Sequence, residues 1–197
     1  MAIRSLKSGS FSRSTQVGNS IILPGDYESI ATTTVGAGGT SSITFSSIPS
    51  TFTHLQIRAI TNTTKASASG ADSIELTLNS DATASYSAHR LFGDGSGTTA
   101  DGFANLNYSY IGVMPQTVSS VSYYYAMVLD ILDYANTNKY KTIRSLSGFD
   151  ANGSGRAGLF SGSWRSTNAV SSITFYPDNR SALFTQYSHF ALYGIRG

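Results

Sequence analysis

Residues 26–60, DYESIATTTVGAGGTSSITFSSIPSTFTHLQIRAI, decide the fold. Thr and other β-branched residues fill 27–35, and such side chains suit a pleated, half-buried surface. Gly36, Gly38 and Gly39 interrupt that run, where the chain must turn back with positive φ. Ile43 and Phe45 alternate with Ser42, Thr44 and Ser46. After Pro49, Leu55, Ile57 and Ala59 alternate with His54, Gln56 and Arg58. Alternation at period two predicts strand, turn, strand, short crossover and strand, with no room for a helix.

The rest of the chain supplies partners for this platform. Ile74, Leu76 and Leu78 alternate with polar neighbours over 73–79, the cleanest amphipathic strand in the sequence. Residues 86–92 make another strand, and the Gly-rich run 93–102 reads as an exposed, mobile loop. A strand carrying Leu106, Tyr108 and Tyr110 comes next and stops at Pro115. Residues 123–132 (YYYAMVLDIL) are apolar on both faces, as a central strand covered on both sides would be. Strands over 143–149, 159–165 and 170–176 are separated by turn residues, and 187–195 predicts a last strand pinned into a sheet. About ten or eleven short strands result, with no convincing helical period, internal repeat or second domain. The pattern predicts an all-β fold: one β-sandwich of jelly-roll type over 26–197, preceded by an extended N-terminal arm, 1–25.

The arm differs in composition from residues 26–197. Arg4, Lys7 and Arg13 are its only charges, all positive, and they lie among Ser and Gly with Leu6 and Phe11 as scattered apolar residues. Such a segment cannot bury a core of its own. It reads either as a frayed tail or as an arm ordered on a neighbouring subunit, with Arg4, Leu6, Lys7, Phe11, Arg13, Ile21 and Ile22 as candidate partner-binding residues.

Composition limits the function. Charged residues make up 12% of the chain, about half the usual quarter, so hydroxyls and aromatics must cover much of the surface. A net charge of +2 is too small to argue for nucleic acid or anionic membrane as partner, and neither is expected. The chain has no cysteine, which rules out disulfides, thiolate catalysis and Cys-type zinc sites. No apolar run is long enough to span a membrane as a helix, and the basic N-terminus lacks the apolar segment of a secretory signal, so synthesis in a cytoplasm is expected.

Catalytic chemistry is hard to find. His54, His89 and His189 fall in three different strands, each with a polar face to sit on, and read as structural. Asp130 and Asp133 are three apart on a strand, which sends their side chains to opposite faces and spoils them as an acid–base pair. The loops at 93–97 and 150–155 are oxygen-rich but lack the closing Glu of an EF-hand, so they read as turns. No metal, cofactor or enzyme activity is expected. Twelve tyrosines are in excess, and those not in the core would build an interaction surface.

Several phrases are distinctive: IRSLKSGSFSRS at 3–14, YESIATTTVGAGGTSSITFSSIPSTFTHLQIR at 27–58, HRLFGDG at 89–95, DILDYANTNKYKTIRSLSGFDANGSG at 130–155 and FALYGIRG at 190–197. In these the chain resembles small virion structural proteins of tailed bacteriophages, over nearly its whole length. The resemblance implies a particle component without catalytic residues. As a capsid decoration (cement) protein it would bind the major capsid protein or another virion protein. As a tail or head fibre it would bind a host surface glycan. By analogy a homotrimer is expected in either case.

If the arm is separate, a chain lacking residues 1–25 should still melt cooperatively but no longer join its particle. A truncated chain that unfolds would place the arm inside the core.

Overall fold

The computed structural model describes residues 15–17, 20–22, 25–65, 71–115, 123–177 and 180–197. Among them lie fourteen strands: β1 (Thr15–Val17), β2 (Ser20–Ile22), β3 (Tyr27–Thr34), β4 (Ile43–Phe45), β5 (His54–Thr61), β6 (Ala71–Leu78), β7 (Tyr86–Gly93), β8 (Thr98–Leu106), β9 (Ser109–Pro115), β10 (Tyr125–Leu132), β11 (Lys141–Asp150), β12 (Gly155–Trp164), β13 (Ile173–Pro177) and β14 (His189–Ile195). A large sheet of eight strands runs β3-β14-β5-β10-β11-β12-β7-β8, and a small sheet of four runs β4-β13-β6-β9. The neighbouring strands pair antiparallel, so this is an all-β sandwich. Its unequal division differs from the even pair of Greek keys in an eight-stranded jelly roll.

The core fills the space between the sheets. Leu55 and Ile57 on β5, Leu129 and Ile131 on β10, and Phe190 and Leu192 on β14 face Ile74, Leu76 and Leu78 on β6 and Ile173 and Phe175 on β13. The Phe175 and Phe190 rings meet at 5.2 Å, and Phe184 packs edge-on against Phe190 at the same distance. The last strand lies between β3 and β5, as the sequence predicts.

Small residues let β9 come close to the large sheet. A Cβ on Gly162 would stand 2.2 Å from Ser109 Oγ, and one on Gly112 would stand 1.5 Å from the Tyr125 hydroxyl. Ser145, on β11, donates its hydroxyl to the Ile111 carbonyl. Two polar anchors then fix one end of the sandwich, around the register partners Lys141 and Trp164. Lys141 is fully buried, and its ammonium donates to the carbonyls of Asn136 (2.6 Å), Lys139 (2.9 Å) and Thr167 (3.2 Å), tying together two connections. Burial, and then the Lys139 charge, push its pKa below the usual lysine value. At another connection, Asp81 accepts from Trp164 Nε1 (2.7 Å), Ser85 Oγ (2.6 Å), Thr83 Oγ1 (2.6 Å) and the Thr83 amide (2.9 Å).

Four sequence expectations need correction. Residues 98–102 are not a loop but part of β8, whose largely polar, largely exposed residues give no alternation to read. Leu106 ends β8 while Tyr110 belongs to β9, so the strand expected through 106–110 is two strands with a turn between them. The strand at 73–79 is not amphipathic in place: Glu75 and Thr77 are as buried as Leu76, so both faces of β6 are covered. Strand β10 is central, yet its outer side chains Ala126 and Val128 are exposed, because the small sheet covers only one of its faces.

Partial burial pushes the Asp81 carboxyl up, but the hydrogen bonds from Ser85, Thr83 and Trp164 outweigh it and hold the pKa well below the usual carboxylate range. A depressed carboxyl contributes stability that is complete above the unfolded value of about 4 and is lost as pH falls below it. Asp81→Asn should therefore cost about 1–2 kcal/mol at pH 7. In thermal melts the gap to wild type should narrow as the pH is taken below about 4. A gap that stays constant down to acid pH would show that the carboxylate charge is not what matters.

Candidate functional site

The outer face of the large sheet is built by the same pleat that builds the core. In β10, Tyr125, Met127, Leu129 and Ile131 turn inward, so Ala126, Val128 and Asp130 must turn outward. The register then lines up their neighbours in rows across the strands. Arg58, Val128, Leu146, Leu159 and Leu91 sit side by side on β5, β10, β11, β12 and β7. Val128 is 39% exposed, Leu146 64%, Leu159 49% and Leu91 52%. Four large aliphatic side chains thus form one unbroken ridge on the outer surface. A soluble surface usually scatters such residues singly, and a contiguous row marks an interaction site.

The next row, two residues along each strand, is made mostly of small residues. Ile60, Ala126, Gly148, Ala157 and Gly93 are register partners in the same strand order. Over β5, β10, β11 and β14 this leaves a shallow, mostly apolar groove beside the ridge, lined by Ile60, Ala126, Val128, Leu146 and Gly148 and edged by Arg58 and His189.

On the ridge's other flank the row is polar and its charges are paired. Asp130 accepts from Gln56 Nε2 and from Arg144 Nη2, each at 2.9 Å. Gln56 Oε1 accepts from the Tyr27 hydroxyl (3.0 Å) and from Arg58 Nε (3.3 Å). Tyr27 stacks on Tyr193 with centroids 4.7 Å apart, and the Arg58 guanidinium lies over the Tyr27 ring at 5.7 Å. Burial, opposed by Arg58, raises the Tyr27 hydroxyl above its ordinary pKa, which keeps it a neutral donor.

A second aromatic cluster lies at the β7–β8 end of the sandwich. The Arg90 guanidinium is 5.1 Å from the Phe103 ring and 5.3 Å from the Phe92 ring, with Asp101 at 2.9 Å. Phe103 in turn meets Tyr110 at 5.3 Å, and Tyr110 meets Tyr108 at 5.1 Å. The rings are half-buried and add to the chain's aromatic surface.

The three histidines have separate neighbours. His54 Nδ1 accepts the Asp133 amide at 2.9 Å, and His189 Nδ1 shares a hydrogen bond of 2.8 Å with Thr34 Oγ1. His89 lies on the outer face against Gly102, where a Cβ would come within 2.8 Å of its Nε2. Among the described residues no group of three His, Asp or Glu is placed to hold a metal ion. Asp130 belongs to the outer polar row, whereas Asp133 sits past the end of β10 with φ 48° and pairs with Lys139. In the two oxygen-rich turns the carboxylates are taken up locally. Asp94 Oδ1 accepts from Ser96 and Gly97, and Asp150 Oδ1 accepts from Asn152.

Of the arm residues, Arg4, Leu6, Lys7, Phe11 and Arg13 lie outside the described residues. Ile21 and Ile22 fall in β2, opposite Gln16 and Thr15 of β1. Leu91, Val128, Leu146 and Leu159 are functional candidates that sequence reading misses. Each strand shows its own alternation, but the register that joins the four into one row is set by tertiary pairing.

No family model, curated protein or solved structure matches this chain.

The two faces of β10 should respond differently to truncation. Leu129→Ala, on the fully buried side, should cost about 2–5 kcal/mol. Its neighbour Val128→Ala should change the stability of the single chain by no more than about 0.5 kcal/mol. Urea unfolding of dilute protein, followed by the fluorescence of Trp164, measures both. Equal costs would mean that the outer face is covered within the chain.

Proposed function

We propose that this chain is a non-enzymatic structural protein of a bacteriophage virion. In this reading it is a capsid decoration (cement) protein that binds the capsid surface through its N-terminal arm and a sheet face, and it is made in the host cytoplasm. The observation that carries the adhesive part is the aliphatic ridge Val128–Leu146–Leu159–Leu91, which is contiguous, exposed and flanked by charges that are already paired. Such a face has binding free energy to offer another protein surface and nothing with which to do chemistry. The virion assignment rests on the resemblance of the quoted phrases to phage structural proteins.

A second reading, a fibre that binds host surface glycan, is favoured by one feature. The stacked Tyr27–Tyr193 pair is edged by Gln56 and Arg58, an arrangement of aromatic plane and hydrogen-bonding groups that suits a sugar ring.

Antibody–gold labelling of intact particles tests both. Label over the head is expected for decoration, and label confined to the tail or a few spikes would move the assignment to the fibre. Particles that carry no label would overturn the virion reading altogether.

A further inference from the structure

We propose that the outer face of the large sheet seats a second copy of this chain, packed face to face about a two-fold axis. This rests on the adhesive reading of that face and gives the face to a second copy, which leaves the capsid contact of the proposed function to the N-terminal arm.

The first reason is shape. The ridge Val128, Leu146, Leu159, Leu91 and the row of small residues Ala126, Gly148, Ala157, Gly93 occupy the same four strands in the same order. On each strand the two are separated by two residues, or about 6.8 Å. A two-fold axis lying in the face, across the strands and midway between the rows, exchanges them. Leu146 then meets the partner's Gly148, Leu159 the partner's Ala157, and Val128 the partner's Ala126. Large side chains fall on small ones along the whole row, on both copies at once, which is the self-complementarity an isologous interface requires. The two sheets would lie about 10 Å apart with strands roughly aligned, the ordinary geometry of sheet-on-sheet packing.

Area is the second reason. Eight strands at about 4.8 Å, each offering about six residues at about 3.4 Å, make a face on the order of 700 Å². Specific interfaces bury about 800 Å² per partner.

The occupant's chemistry is set by the surroundings. Asp130 is paired to Arg144 and Gln56 within its own copy, and the exposed Arg58 at the β5 end of the ridge row is held by Gln56 and the Tyr27 ring, so the ridge itself presents no acidic or basic field for an oppositely charged partner. The ridge has no donors or acceptors with which to hold a sugar or a phosphate. Strand β10 itself, YAMVLDIL, has the composition of a strand covered on both sides, and the single chain covers one.

Sedimentation equilibrium of the full chain at micromolar concentrations should give the mass of two copies. Leu146→Glu should raise the dissociation constant at least about a hundredfold, because both copies would bury the charge. Its unfolding midpoint in dilute solution should stay at the wild-type value. A chain without cysteine permits a second test. Val128→Cys mixed with Ala126→Cys should be joined by a short bis-maleimide, and adding Leu146→Glu to both should abolish the cross-link. A single-copy mass at about 100 µM, far above the Kd of a specific dimer, would overturn the proposal. So would a trimer that survives Leu146→Glu, or cross-linking that Leu146→Glu leaves unchanged.

The two readings fail separately. If wild type stays single while Leu146→Glu abolishes binding to capsids, the face belongs to another virion protein and the pairing is wrong. If the pair forms but particles carry no label, the pairing stands and the virion assignment falls.

Discussion

A strand side chain must point to one face of its sheet or the other, and this constraint governs the molecule. Eight strands make two broad faces, and the chain supplies one small sheet to cover them. The inner face receives Leu55, Ile57, Leu129, Ile131, Phe190 and Leu192 and becomes the core. The outer face is left with whatever stands at the alternate positions. There the pleat delivers a row of leucines and valine, because β7, β10, β11 and β12 each carry an aliphatic residue at the same height. Core and exposed aliphatic row are thus two outcomes of one register, and a slip of one residue in any of these strands would exchange them.

That register is held by contacts that leave little slack. Gly112 and Gly162 allow β9 to approach within a distance that a methyl group would block, so the small sheet can seat only where those glycines lie. Lys141 gathers three carbonyls from two connections, and Asp81 gathers donors from Thr83, Ser85 and Trp164. A buried ammonium or a multiply bonded carboxylate is costly unless its partners are in place, so these groups penalise alternative arrangements more than they add to stability. In a chain with 12% charged residues and no cysteine, polar anchors of this kind carry the specificity that disulfides supply elsewhere.

Local pattern is enough to read β3, β4, β5, β13 and β14, where apolar and polar residues alternate or a turn residue ends the run. It is not enough for β8. Thr98, Thr99, Ala100, Asp101 and Gly102 have no apolar side to show, and only pairing with β7 makes them a strand. Glu75 reads as solvent-facing because glutamate rarely buries, yet its strand lies inside the small sheet. The candidate site is half legible. The two-sided apolar character of β10 is visible in the sequence, but that its outer half stays bare within one copy depends on where the second sheet stops. Leu91 and Leu146 are far apart in the chain, and only the β7–β12–β11 pairings put them in one row.

The sheet edges bear on how such a molecule associates. An open edge offers free backbone groups to any other strand and leads to endless growth. Here each edge is blunted. Strand β4 is three residues long, and the pairings of β3, β8 and β9 with their inner neighbours each contain a register shift. A bulge twists the edge and breaks the ladder that a visiting strand would extend. With the edges disfavoured, the remaining large apolar surface is a face, and a face closed by a two-fold axis is used up once it is filled. A chain with blunted edges and one bare face is therefore better suited to assemblies of fixed size than to fibres.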